Sequence, residues 1–401
     1  MKFEKHAFSC RRDALTIRGH VYLPKADGSF PAVIISHGFM ANQQSVQQYA
    51  EAMANEGYAA FIYDFCGGCV KGTSDGANRD MTVFTEVADL KAVIAHVLSQ
   101  PFVRGDRLIL MGCSQGGFVS AMTAAQLPET VEKLILFYPA LCIPDDARTG
   151  KMMFFRFDPQ NIPDVLGKWP MELGGNYARS VIDKDPYALI AEYPGPVLIV
   201  HGTADKVVAR SYAEKAYRMY LDSQGGAPSA NCQLVYVDKG NHGLRGLKSR
   251  AWFNYSFFVI QKFLEGKTPV LNIDVRLTGK EKTKLDKGRK VKAGFEGISE
   301  GMYFTGKVRS GAYDEQIYLR GGQPDSCHAV YDLDGVDYAG SPCSIHICNN
   351  MPSGGTKDWN RGWIPRVTTD DPALSFLNDQ QCETYAEMRL SGPFIHIFAK
   401  R

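Results

Sequence analysis

Two kinds of hydrophobic pattern divide the chain. Through roughly residue 265, short continuous apolar runs recur at Ala32–Ser36, Ala59–Tyr63, Arg107–Met111, Lys133–Tyr138, Val197–His201 and Gln233–Val237. Helix-like segments such as Val83–Ser99 and Ala209–Leu221 lie between them. Apolar runs without alternation predict strands covered on both faces, so this part reads as a doubly wound α/β layer structure around a mostly parallel sheet. Such sheets carry their chemistry in loops at the carboxyl ends of the strands. After about residue 266 the pattern becomes short and alternating, at Met302–Val308, Gln316–Arg320, His328–Leu333, Ser344–Cys348 and Phe394–Ala399. Gly, Pro, Asn and Asp clusters separate these segments, which predicts a small all-β sandwich or barrel. The reading is therefore an α/β domain over residues 1–267 and a C-terminal all-β domain over residues 268–401.

One connection is out of proportion. The stretch from Tyr138 to Val197 is far longer than a crossover needs. It holds turn residues (Ile143-Pro144-Asp145-Asp146, Asp158-Pro159, Ile162-Pro163-Asp164) and bulky apolars (Phe154, Phe155, Phe157, Trp169). A disordered loop would not be so aromatic, so an inserted cap over about residues 140–192 is expected.

Composition narrows the class. The chain has 401 residues, 45% of them hydrophobic and 22% charged, which is ordinary for a globular protein and long enough for two domains. A formal net charge of +2 gives no reason to expect a nucleic-acid or membrane partner. The N-terminal segment is charged throughout, without the apolar core of a signal peptide, and no apolar run approaches the roughly 18 residues of a membrane span. Ten cysteines in a chain of this length are not a disulfide framework, so a cytoplasmic location is expected. Cys66 and Cys69 form a CxxC without the partners of a zinc site, and read as unpaired thiols in a Gly-rich loop. The lysine-rich stretch Lys280–Lys292 reads as a solvated face or linker, with an anionic partner as the alternative.

The chemistry concentrates at Gly112-Cys113-Ser114-Gln115-Gly116, a GxSxG between an apolar strand and a small-residue helix. Glycines on both sides let neighbouring backbones approach a serine held on a tight turn, and the helix N-terminus favours developing negative charge. Ser114 is the candidate nucleophile. Its partners should follow in the order acid, then histidine, each after a later strand. Asp205 in His201-Gly202-Thr203-Ala204-Asp205 and His242 in Gly240-Asn241-His242-Gly243 stand at those places. A helix N-cap is the bland reading of Asp205, a locally bonded loop residue that of His242, and Asp238 is a weaker rival acid. Backbone N–H groups of Phe39 and Gln115 are the candidate oxyanion hole. His37 is read as structural rather than as a base, and is counted with the residues near the substrate. Asp64 reads as loop-structuring and His201 as a structural strand-end residue. No metal-ligand spacing or phosphate loop is evident, so neither metal nor cofactor is expected.

These motifs resemble the bacterial feruloyl (cinnamoyl) esterases of the α/β-hydrolase fold, over roughly residues 1–265. The resemblance rests on His37-Gly38-Phe39, Gly112 to Gly117, His201 to Asp205 and Asn241-His242, and extends into the cap. There it includes Pro139-Ala140, Asp145-Asp146-Ala147-Arg148, Phe157-Asp158-Pro159-Gln160-Asn161-Ile162-Pro163 and Leu173-Gly174-Gly175-Asn176-Tyr177. It implies a serine ester hydrolase releasing hydroxycinnamic acids from a small-molecule aromatic ester through an acyl-enzyme. It also implies that Asp146 and Tyr177 bind the ring hydroxyls, with Asp145 leaving the register open by one residue; the bland reading is that Tyr177 packs in the cap and Asp146 caps a helix. The chain departs from the pattern at Cys66, where many relatives carry arginine. Alternatives are a general carboxylesterase or monoacylglycerol lipase, and an inactive hydrolase-like binding protein. The resemblance does not reach the β domain, whose role and any homo-oligomer formation stay open.

Overall fold

The structure, a computed structural model, describes residues 3–319, 322, 324–351, 360, 361 and 363–401. Two compact units emerge. The first runs to Gly226 and includes Asn231–Ile260; the second comprises Ala227–Ala230 and Gln261–Arg401.

The first unit opens with strands β1 (Phe3–Arg12), β2 (Leu15–Pro24) and β3 (Phe30–Ser36), then helix α1 (Gln47–Asn55) and β4 (Ala59–Tyr63). Helix α2 (Val83–Leu98), β5 (Val103–Cys113), α3 (Gln115–Gln126) and β6 (Val131–Phe137) follow. The long connection contains α4 (Ile143–Arg148), the short strands β7 (Lys151–Met152), β8 (Phe155–Arg156), β9 (Val165–Gly167) and β10 (Leu173–Gly174), and α5 (Asn176–Arg179). The unit ends with β11 (Val197–Gly202), α6 (Arg210–Ser223), β12 (Cys232–Val237) and the start of α7 (Ser249–Leu264).

Eight strands form one sheet in the order β1-β2-β4-β3-β5-β6-β11-β12, parallel from β4 to β12. The central strands are shut from solvent: Ala32–Ile35, Leu108–Met111 and Val197–Val200 are all 0% exposed. Their continuous apolar runs need cover on both faces, which the helices supply. Helix α3 is buried along Gln115–Ala124, which explains its Gly and Ala content: small side chains let it lie close to the sheet. Helix α2 begins in a capping box, with Thr82 and Thr85 exchanging backbone-to-hydroxyl bonds of 2.9 and 3.1 Å.

The antiparallel hairpin β1–β2 was not among the expected strands. Its first strand is exposed over most of its length and is held by pairing with β2 (Phe8 opposite Gly19) and by the rings of Phe3 against Tyr22 and Phe8 against Phe61.

Beyond the end of α7, the second unit is built of antiparallel strands, as expected. It contains β13 (Lys267–Lys284), β14 (Arg289–Glu300), β15 (Phe304–Val308), β16 (Tyr313–Tyr318), β17 (Ser326–Asp337), β18 (Pro342–Met351), β19 (Ile364–Thr369), β20 (Glu383–Met388) and β21 (Pro393–Lys400). The order is β19-β18-β17-β15-β14-β13-β21-β20, with β16 bridging β14 and β17, and every pairing is antiparallel. The sheet edges approach: Cys382 N–H donates to the Pro365 carbonyl (3.3 Å), and Asn360 bonds the Ala386 backbone. The sheet therefore rolls toward a barrel around Leu271, Ile273, Leu333, Ile345, Ile347 and Ile397. The lysine stretch 280–292 is the arm and turn of the β13–β14 hairpin rather than a linker. Arg320, at the end of one expected strand, lies outside the described residues. Among the described residues, no helix is long and apolar enough to cross a membrane.

Candidate active site

Ser114 lies where β5 turns into α3, with φ 55° and ψ −120°. That backbone costs a non-glycine residue about 1–3 kcal/mol and persists only where its surroundings fix it. Two glycines do so here. A Cβ on Gly112 would stand 2.1 Å from the Gly116 carbonyl oxygen, and one on Gly116 would stand 2.3 Å from the His37 carbonyl oxygen. The turn is thus too tight for any side chain at either position. The Ser114 N–H is anchored to the Phe137 carbonyl (2.9 Å), and its carbonyl accepts from Gly117 and Ala140 (both 3.0 Å).

The His242 Nε2 atom is 3.0 Å from Ser114 Oγ, and its Nδ1 is 2.8 Å from Asp205 Oδ2. The carboxylate of Asp205 is closed to solvent, while its Oδ1 accepts from the N–H groups of Val207 (2.8 Å) and Val208 (3.0 Å). Burial alone would raise its pKa, but the hydrogen bonds from His242 and the Val208 backbone outweigh it and hold the acid below its ordinary value. An ionised Asp205 keeps the proton of neutral His242 on Nδ1, leaving Nε2 free to accept from the serine. The Tyr138 ring meets the His242 ring edge-on at 4.8 Å and steadies it.

The backbone N–H groups of Phe39 and Gln115 donate to no other described group. Beside them opens a pocket of about 240 Å³ that Phe39, Ser114, Gln115, Asp146, Phe154 and Tyr177 help to line. Tyr177 is 3% exposed; its hydroxyl donates to the Gln115 side-chain carbonyl, and its ring tilts against Phe39 at 5.4 Å. The Gln115 amide nitrogen in turn donates to Glu86 Oε2 (2.7 Å). Sequence reasoning missed Glu86, because a glutamate in a helix's first turn resembles a simple dipole partner.

The chain matches the profile of the family described as Serine aminopeptidase, S33, over residues 29–186. Among solved structures it resembles Est1E from Butyrivibrio proteoclasticus with ferulic acid bound, at 28% identity and a TM-score of 0.56, over 64% of this chain and 99% of that one. The N-terminal unit has the α/β-hydrolase fold. The rat acylamino-acid-releasing enzyme is 25% identical over 235 residues, 55% of this chain and 30% of that protein. A putative carboxymethylenebutenolidase of Aquifex aeolicus (strain VF5) is 26% identical over 136 residues, 32% of this chain and 58% of that protein. The chain thus spans between about a third and somewhat over half of these curated relatives.

Within the hydrolase unit the two cap aspartates separate. Asp145 bonds Tyr212 (2.7 Å) and Arg148 (2.5 Å), whereas Asp146 borders the pocket, its pKa raised by burial. The grouping of His37 with the substrate contacts needs correction. His37 is 1% exposed and donates from Nδ1 to the Gly38 carbonyl (2.8 Å). Its Nε2 faces the Phe65 N–H (3.2 Å) and the Cys69 thiol (3.3 Å), so the ring braces two loops behind the pocket. Burial keeps it neutral.

His37, Asp64 and Cys69 bring donor atoms within 4.8 Å of one another, a spacing a metal could use. Those donors are already engaged: Asp64 accepts from the N–H groups of Gln43 and Thr73, both at 2.8 Å. His201 is fully buried and, facing the Val208 carbonyl at 3.0 Å, carries its proton on Nε2.

Proposed function

We propose that this protein is a serine carboxylic-ester hydrolase releasing hydroxycinnamic acids from their esters through an acyl-enzyme, without metal or cofactor. The observation that carries this reading is the unbroken line Asp205–His242–Ser114, with its serine on a strained turn beside a ring-lined pocket. In the proposed reaction His242 takes the Ser114 proton as Oγ attacks the ester carbonyl. The negative oxygen is met by the N–H groups of Phe39 and Gln115, and His242 returns the proton to the departing alcohol. Water, activated by the same histidine, then releases the acid.

The aromatic preference rests on the walls. Phe39 and Tyr177 offer ring faces, and Asp146 and the Tyr177 hydroxyl offer partners to a phenol that would otherwise lose its water uncompensated. The ferulic acid held by Est1E supports the same acyl class. A cytoplasmic setting fits the ten free cysteines.

Turnover of methyl ferulate against a medium-chain monoglyceride tests the substrate class; preference for the lipid would replace this reading with a general carboxylesterase or lipase. A fluorophosphonate probe tests the nucleophile. It should label the wild type and spare Ser114→Ala; equal labelling would overturn the nucleophile assignment, and no labelling of the wild type would return the chain to the class of inactive hydrolase-like binding proteins.

A further inference from the structure

The second unit carries a feature that ester hydrolysis does not use. Its inward-facing positions change character along the strands. Leu271, Ile273, Leu333, Ile345 and Ile347 interlock as a closed apolar core. Val275, Phe295, Ala329 and Tyr331 extend that core and, with Ala293, border a cavity of about 300 Å³, the size of a small-molecule site.

Four oxygens lining this cavity are shut from solvent and lack a hydrogen-bond partner among the described residues: Asp314 Oδ1, Tyr331 Oη, Asn349 Oδ1 and Thr384 Oγ1. They come from four strands, β16, β17, β18 and β20. Tyr331, Asn349 and Thr384 are 4%, 3% and 2% exposed. Each such orphan gave up its water without a replacement, and native interiors hold few of them. Buried hydroxyls occur elsewhere in this barrel, as at Ser299, but a barrel built only for stability would gain from apolar side chains at four positions around one cavity.

The acceptors are also held in place. The Tyr318 hydroxyl donates to Gln316 Oε1 (2.7 Å), and the Gln316 amide nitrogen donates to Asp314 Oδ2 (2.6 Å), leaving Oδ1 for something else. Pairing register sets the spacing: Asp314 is opposite Ala329, and Ala329 is opposite Asn349. Two acceptors therefore flank a single methyl group on one face of the sheet, with an opening between them.

The Asn349 carbonyl accepts only, and the Asp314 carboxyl, whose pKa burial raises, accepts at Oδ1 when ionised, so a ligand hydroxyl supplies the hydrogen that both lack. The rings of Phe295, Tyr318, Tyr331 and Trp363 ask for a flat apolar body. We propose that this cavity binds a small aromatic molecule bearing a hydroxyl donor, its ring among these aromatic walls and its hydroxyl toward Asp314 and Asn349 above Ala329. The site is independent of the hydrolase reading.

Titration calorimetry on the full chain with 2-naphthol and with 2-methoxynaphthalene, which lacks only the donor, tests the chemistry. The methylated probe should bind at least about tenfold more weakly. Ala329→Leu, which fills the opening, should abolish the donor-dependent binding while ester turnover stays unchanged. A crystal grown with 6-bromo-2-naphthol tests the location without any variant, and an anomalous bromine peak among Phe295, Tyr318 and Tyr331 would support the site. Equal affinity for the two probes, no effect of Ala329→Leu, bromine only beside Ser114, or ordered water alone in the cavity would each overturn it.

Discussion

Replacing Glu86 separates what its carboxyl does for the fold from what it does for the pocket. The side chain is 1% exposed, and its Oε2 is the acceptor that fixes the Gln115 amide, whose other end receives Tyr177 from the cap. In Glu86→Ala the Gln115 nitrogen keeps only the Met81 sulfur at 3.8 Å, a weak acceptor. An unsatisfied buried amide costs about 1–3 kcal/mol and the lost packing adds to it, so the expected loss is about 2–4 kcal/mol. Glu86→Gln keeps an acceptor of the same shape and should stay within about 1 kcal/mol of wild type.

The two changes also differ in pH dependence. Burial pushes the Glu86 carboxyl well above its ordinary pKa, against the pull of Gln115. Once pH passes the unfolded value of about 4.3, the unfolded chain sheds this proton while the folded chain keeps it, so stability falls as pH rises. Glutamine cannot titrate. The stability of Glu86→Gln relative to wild type should therefore increase from pH 5 to pH 8. Urea unfolding followed by circular dichroism at 222 nm suits the measurement, because helices α1 to α6 all belong to the hydrolase unit. If Glu86→Ala matched Glu86→Gln, or if the difference between Glu86→Gln and wild type were flat with pH, the buried-anchor argument would fail.

Asp205→Asn should lower turnover of an activated ester by about 10³–10⁴-fold with little change in Tm, because an amide no longer selects the His242 tautomer. A drop below tenfold would mean that another group orients the imidazole. Tyr177→Phe and Asp146→Ala should each raise KM for hydroxylated cinnamates more than for unsubstituted cinnamate; equal rises would assign both side chains to packing.

How far the site could be read from the sequence follows from how local its signals are. Ser114, Asp205 and His242 each sit in a turn whose glycines and flanking strand are neighbours in the chain, so spacing was enough to propose them. The long insertion was legible from its length, but its aromatics do not all bury: Phe155 is enclosed while Phe154 and Trp169 are 66% and 80% exposed. Other features were silent for physical reasons. Strand β1 is short of apolar residues and exposed, and the outer arm of β13 is lysine-rich, so neither signals a strand, although β2 alternates Leu15, Ile17, Val21 and Leu23, a period that sequence reasoning missed. The Glu86–Gln115–Tyr177 chain joins three segments far apart in sequence, and only the packed fold creates it.

The cysteine at position 66, where the family resemblance leads one to expect arginine, has a comparable explanation. The Cys66 N–H donates to Asp89 Oδ2 (2.8 Å), and the other oxygen of that fully buried carboxylate is paired by the Arg12 guanidinium from β1. A guanidinium therefore reaches this loop from a strand that the hydrophobic pattern did not disclose. Burial raises Asp89 to about 6 even with Arg12 opposing it. Arg12→Ala would strand the charge and should cost about 3–5 kcal/mol at neutral pH. The loss should shrink toward pH 5, where Asp89 takes up a proton and no longer needs a partner, because an acid with a raised folded pKa favours folding increasingly as pH falls. Arg11→Ala, one residue away and exposed, is the control. Unfolding free energies at pH 5 and pH 8 decide the matter: equal losses for the two variants, or a loss for Arg12→Ala that does not change with pH, would mean that β1 is held by its ladder and ring contacts alone.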